Sequence, residues 1–153
     1  MALTTAQRTT LKADVLARLS LAGAVALADW PAVANFYNTT AVPAVSLWMP
    51  NVGVAFLNSA IAWATYKTLT LQEQGAYRAM TQIGSVDMTD NQVRQGFSSI
   101  FGSASASWIA IRDGAQRPAT YFEALFSVAS GSAFNSVFYG QPLSSIEVQL
   151  AMV

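Results

Sequence analysis

The chain of 153 residues carries eight basic and eight acidic side chains, no histidine and no cysteine; 53% of its residues are hydrophobic and 10% charged. Zero net charge argues against a nucleic-acid binder, since the widest basic cluster, Arg8, Lys12 and Arg18, is interrupted by Asp14, and without Cys or His there are no disulfides, thiolate nucleophiles, common catalytic triads or Cys/His zinc sites. The charged fraction is well under the roughly 25% of an average soluble domain, and the stretches 30–66, 95–111 and 124–146 hold no charge at all.

The chain opens on a helix signature. Thr4 and Gln7 have the spacing of a capping box, in which two side chains satisfy orphan backbone N–H groups reciprocally. Leu11, Val15 and Leu19 follow as one apolar stripe, Asp14 and Arg18 pair at i,i+4 on another face, and Gly23 ends the helix. The run RLSLAGAVALADW is not read as a secretory signal, because it follows Asp14 and is mostly Ala and Gly. A second helix starts with Asp29 as N-cap and Pro31 in its first turn, turning Val33, Phe36 and Tyr37 inward. The stretch after it reads as extended, since residues before Pro43 and Pro50 avoid helical backbone angles. Val45 to Trp48 makes a short strand or an ordered arm there.

Asn51 caps a third helix, whose Phe56, Leu57, Ala60, Ile61 and Ala64 cover a wide arc. This region is not read as a membrane span, because Pro43, Pro50, Gly53 and Asn58 interrupt the ~20 apolar residues that a span needs. A fourth helix over 70–83, opened by Thr70 and Glu73, places Ala76, Tyr77, Met80 and Ile83 on one side and stops at Gly84. A fifth over 89–101, opened by Thr89 and Gln92, buries Val93, Phe97, Ile100 and Phe101, shows an Asp90–Arg94 pair outside and stops at Gly102. The sixth starts near Ser105 or Ser107, carries Trp108, Ile109 and Ile111, and is broken by Gly114 and Pro118 before ATYFEALF resumes. Residues 127–142 are irregular or weakly extended, and Ser144 with Glu147 opens a short final helix. No alternation of period two is sustained. The expected fold is therefore mainly α: a single compact domain over 1–153 of about six to seven helices, with extended apolar arms at about 41–50 and 127–142 and at most one short strand.

Chemistry is sparse. Asp87 and Asp90 are the closest carboxylates and read as helix-start caps rather than metal ligands. Lys67 reads as a solvent-facing lysine at a helix C-terminus, and no phosphate-binding glycine motif occurs. No catalytic, cofactor-binding or metal-binding residue is assigned, and no cofactor is expected. What remains is surface. Val42, Val45, Trp48 and Met49 in the first arm, and Phe134, Val137, Phe138 and Tyr139 in the second, are the candidates for contact with a partner, since aromatics and Met concentrate at interfaces. Trp30, Trp63 and Trp108 sit at helix-compatible spacings and are assigned to the core.

The opening LTTAQRTTLKADVLA, the segment TAVPAVSLWMPNV and the late RPATYFEALFSVASG together resemble a family of small, largely uncharacterised proteins encoded among the structural genes of tailed bacteriophages. The likeness is strong over 3–17 and partial over 42–52 and 115–131. It departs from the family's pattern at Met49-Pro50 and at Pro118. The family carries no catalytic signature, so the resemblance implies a virion component and not an activity. The implied protein is a non-enzymatic structural subunit of tail or neck, making symmetric or ring-like contacts with its own copies and with other virion proteins through charge-poor surfaces. It would reside in the virion, and in host cytoplasm before assembly. Two other classes stay open: a membrane-acting lysis protein of holin type using 52–66 and 124–140, and a small carboxylate-dependent enzyme.

Overall fold

The computed structural model describes residues 2–153. Among them are ten α-helices and six short strands, 57% helix and 13% strand. The fold is α/β, which corrects the expectation of a mainly α domain with six to seven helices. Strands β1 (Ser46–Trp48), β4 (Gln116–Pro118), β5 (Ser127–Ser130) and β6 (Ala133–Ser136) form a mixed sheet in the order β4-β1-β6-β5. Strands β2 (Val52–Gly53) and β3 (Ser85–Val86) form an antiparallel pair. Strands this short leave no room for a readable period-two pattern. The parallel pairing of β1 with β6, Leu47 opposite Phe134, joins segments far apart in sequence.

The contacts group the chain into two compact units. The first comprises Met1–Val45, Pro118–Ala129 and Asn135–Val153; the second comprises Ser46–Arg117 and Ser130–Phe134.

In the first unit, α1 (Thr5–Ala17) opens on a closed capping box: the Gln7 N–H donates to Thr4 Oγ1 at 3.3 Å and the Thr4 N–H to Gln7 Oε1 at 2.9 Å. Leu11 and Val15 are buried on its inner face, where it meets α10 (Ser145–Met152). The helix ends at Ala17 and not at Gly23; a 3-10 turn (Leu19–Leu21) and α2 (Ala22–Ala26) follow. Leu19, counted on the buried stripe, is consequently 93% exposed. Asp29 caps α3 (Trp30–Tyr37) as expected, accepting from the Ala32 N–H at 3.1 Å, and Val33 and Tyr37 are buried. A capping box missed in the sequence, Thr120 with Glu123, opens α9 (Tyr121–Leu125).

The stretch after α9 is tied down. The Ser136 hydroxyl donates to the Glu123 carbonyl at 2.9 Å, and the Gly140 N–H donates to Glu123 Oε1 at 2.6 Å. The start of the first supposed arm is held too: the Ala41 N–H donates to the Ala119 carbonyl at 2.9 Å, and the Ala119 N–H to that of Val45 at 2.7 Å.

In the second unit, α4 (Val54–Ala60), α5 (Trp63–Thr68), α6 (Leu71–Thr81), α7 (Asn91–Phe101) and α8 (Ala106–Gly114) contribute to a core that includes Trp48, Leu57, Met88, Phe97 and Ile111. The single third helix read from the sequence is two, α4 and α5, parted where Ile61 and Ala62 adopt extended angles. The Thr70–Glu73 box closes on α6. Because α6 stops at Thr81, Ile83 is exposed, contrary to its assignment to the apolar side. Asp90, not Thr89, caps α7: its Oδ1 accepts from the Gln92 N–H at 2.7 Å, while Asp87 Oδ1 accepts from the Thr89 N–H at 2.8 Å. Gly102 ends α7 at a φ of 83°, in the left-handed half of the map that favours glycine.

No helix among the described residues is long and apolar enough to cross a membrane. The segment 52–66 is divided among β2, α4 and α5, and 124–140 among α9, β5 and β6.

Candidate functional site

The eight partner-contact candidates divide by burial. Trp48 is 2% exposed. Its Nε1–H donates to the Ser130 carbonyl at 2.7 Å, and the Arg94 guanidinium lies 4.7 Å from its ring centroid. Phe138 is buried as well, stacked on Phe122 at 4.8 Å and edge-on to Phe126 at 5.1 Å. Both belong to cores, which corrects their placement on apolar arms. The sequence showed no cover for them because the cover comes from distant segments. Met49 is half-buried, and its backbone donates to the Ala115 carbonyl and accepts from the Met88 N–H. Tyr139 is half-buried. Val42, Phe134 and Val137 reach solvent.

Arg94 is the residue the sequence placed least well. It is only 4% exposed, and instead of an outward ion pair with Asp90 it donates to the carbonyls of Met88 (2.6 Å) and Thr89 (2.8 Å) and to Ser130 Oγ (2.5 Å). Burial lowers its pKa from the usual arginine value, and the charges of Asp90 and Asp87 oppose that shift.

Two of the candidates do meet, in the first unit. Val42 and Val45, with Pro43, Arg18, Tyr121 and Leu125, line a cleft of about 330 Å³. Arg18 is the centre of its polar wall. Asp14 accepts from Arg18 Nε at 2.6 Å and from Nη2 at 3.3 Å, and the Tyr37 hydroxyl donates to the same carboxylate. The guanidinium lies 4.9 Å from the Tyr121 centroid, 5.3 Å from Phe36 and 5.7 Å from Tyr37. Phe36 stacks on Tyr121 at 4.5 Å. The hydrogen bond with Asp14 raises the Arg18 pKa, and burial, followed by Asp14, raises that of Tyr37. The arginine therefore keeps its charge with the carboxylate beside it, and the cleft offers an aromatic and aliphatic wall without a net charge. Such a wall suits an apolar side chain from another polypeptide.

The i,i+4 pair Asp14–Arg18 and the valines were visible in the sequence. Tyr121 was not, because nothing local says that a residue so far along the chain returns to Val42, whose carbonyl accepts from the Tyr121 hydroxyl at 3.2 Å. Trp63, assigned to the core, is 67% exposed. The break at Ile61 and Ala62 ends the stripe that would have carried it inward. No group of three or more metal-ligating side chains converges among the described residues.

Comparison with protein-family profiles, curated proteins and solved structures returns no match for this chain.

Proposed function

We propose that the chain is a non-enzymatic structural subunit of a tailed-bacteriophage particle, associated with tail or neck, that assembles with its own copies and with other virion proteins through charge-poor surfaces. The observation that carries this reading is the location of the charges. Of the eight basic and eight acidic side chains, Arg94, Glu123 and Glu147 are buried. Two further pairs, Asp14–Arg18 at 2.6 Å and Arg112–Asp113 at 2.7 Å, neutralise each other. Meanwhile Leu19, Leu27, Leu71, Ile83, Val128 and Val137 are largely exposed.

Scattered exposed aliphatics are ordinary on a well-charged surface. Here few ionised groups stand between them, and with zero net charge no long-range repulsion keeps copies apart. Covering such area is favourable by about 25 cal/mol per Å². An interface of about 1,600 Å² is the standard size for a stable contact, and heterologous contacts that close give rings. The cleft beside Val42 supplies an anchor point. The resemblance of the opening phrase supplies the setting, a phage particle.

Mass spectrometry of purified particles from a tailed phage that encodes the chain is the test. A fixed copy number per particle is the expected result, and absence from the particle ends the reading. Replacing Leu19 and Leu27 together by Glu should lower self-association in sedimentation while leaving the circular dichroism spectrum unchanged.

A further inference from the structure

A second cavity, of about 460 Å³, lies wholly within the second unit, lined by residues of α4, α5 and α6 together with Ile61. Its size is in the ~300–1,000 Å³ range of small-molecule sites. We propose that it binds a saccharide bearing a carboxylate, with Trp63 as the stacking platform and Arg78 as the carboxylate partner. This rests on the cavity alone and does not depend on the assembly reading.

The platform is anchored from below. Trp63 stacks on Tyr66 with centroids 5.5 Å apart and planes 16° from parallel, and Tyr66 meets Tyr77 edge-on at 6.0 Å. Tyr77 is itself buried against Phe97 and Phe101 at 6.1 and 5.7 Å. An indole that is two-thirds exposed is thus held in place by a column of rings rooted in the core, and its ordering cost is met before any ligand arrives. The face of an indole carries the negative part of the ring quadrupole, which attracts the polarised C–H groups on the flat side of a pyranose.

The rim consists of donors. The Tyr77 hydroxyl donates to Asn58 Oδ1 at 2.6 Å, which fixes the amide and leaves its NH₂ group with no hydrogen-bond partner among the described residues. Arg78 is the one ionised side chain among the lining residues, and its guanidinium makes no ion pair or hydrogen bond among the described residues. Free donors beside an aromatic platform call for a ligand rich in acceptors around a ring, and a lone guanidinium favours a carboxylate, which it can grip with two parallel bonds. A proline-rich peptide fits less well. Trp63 and Tyr66 are stacked on each other and present one platform, not the row of slots along which a polyproline helix docks.

The test uses the full chain and two probes, the trimer of galacturonate and its methyl ester, which keeps the rings and removes the charges. The four tryptophans give four indole N–H signals in a ¹H–¹⁵N spectrum. Titration with the trimer should shift the Trp63 signal saturably, and the ester should bind about tenfold more weakly. Isothermal titration calorimetry reads the variants, since Trp63→Ala removes its own indole signal: Trp63→Ala should abolish binding of both probes, and Arg78→Gln should make the two equivalent. Both side chains are exposed, so both variants are expected to retain the native dichroism spectrum. If the Trp63 signal does not move with either probe at millimolar concentration, or if the variants bind both as the parent does, the proposal is wrong.

Discussion

Trp48→Ala separates core from surface most sharply. The indole is buried within the second unit, donates to the Ser130 carbonyl at 2.7 Å, and provides the ring against which Arg94 lies at 4.7 Å. Truncating a buried aromatic to Ala costs about 3–5 kcal/mol through lost transfer energy and the cavity left behind. Removing the ring from a desolvated guanidinium adds about 1–2 kcal/mol. Against a typical total of about 5–15 kcal/mol, the variant loses about a quarter or more of its stability. Trp48→Phe keeps most of the volume and removes only the Nε1–H bond, a loss of about 1–2 kcal/mol. Urea unfolding followed by far-ultraviolet dichroism measures both, and Trp48→Ala should move the midpoint with little change in slope. A loss below about 1 kcal/mol for Trp48→Ala would refute the reasoning. Trp48 would then be a surface group, and the apolar-arm reading of 41–50 would return.

Three further outcomes follow from particular contacts. A Cβ at Gly114 would stand 2.1 Å from Phe56 Cζ, so Gly114→Ala should cost about 1–3 kcal/mol in urea unfolding, and Phe56→Leu in the same chain should recover part of it. Glu123 is 1% exposed and accepts from the N–H groups of Thr120 at 2.9 Å and Gly140 at 2.6 Å; Glu123→Ala should cost about 3 kcal/mol, and Glu123→Gln, which can still accept, clearly less. The Tyr77 phenol is pushed from 10.0 up to about 12, first by burial and then by Tyr66. The folded chain holds that proton more tightly than the unfolded chain, so its contribution is whole below pH 10 and is lost as pH climbs toward 12. Urea midpoints should fall across that window, and less steeply in Tyr77→Phe.

How much of this could be read in advance depends on whether a residue's partner is near or far along the chain. Capping is local, so Thr4–Gln7, Asp29 and Thr70–Glu73 were legible and each forms. The sheet is not local: β1 meets β6 through Leu47 and Phe134, and no short window contains both. The two i,i+4 pairs make the same point at one residue each. Asp14–Arg18 and Asp90–Arg94 have identical spacing, and only the first forms an ion pair. Asp14 sits in the last turn of α1, where its carboxylate is not needed as a cap, so Arg18 takes it. Asp90 is the N-cap of α7, and one of its oxygens is engaged by the Gln92 N–H. Arg94 is meanwhile offered carbonyls by the incoming Met88–Thr89 turn, together with a hydroxyl and an indole face brought in by Ser130 and Trp48. Four neutral acceptors, the Asn91 side-chain oxygen included, and a ring hold a guanidinium inside where one exposed carboxylate would hold it, for less than about 1 kcal/mol, outside. Spacing is the same in both pairs; the competition for their hydrogen bonds, settled partly by the adjoining Met88–Thr89 turn and partly by Ser130 and Trp48 from far along the chain, decided which charge was withdrawn from the surface.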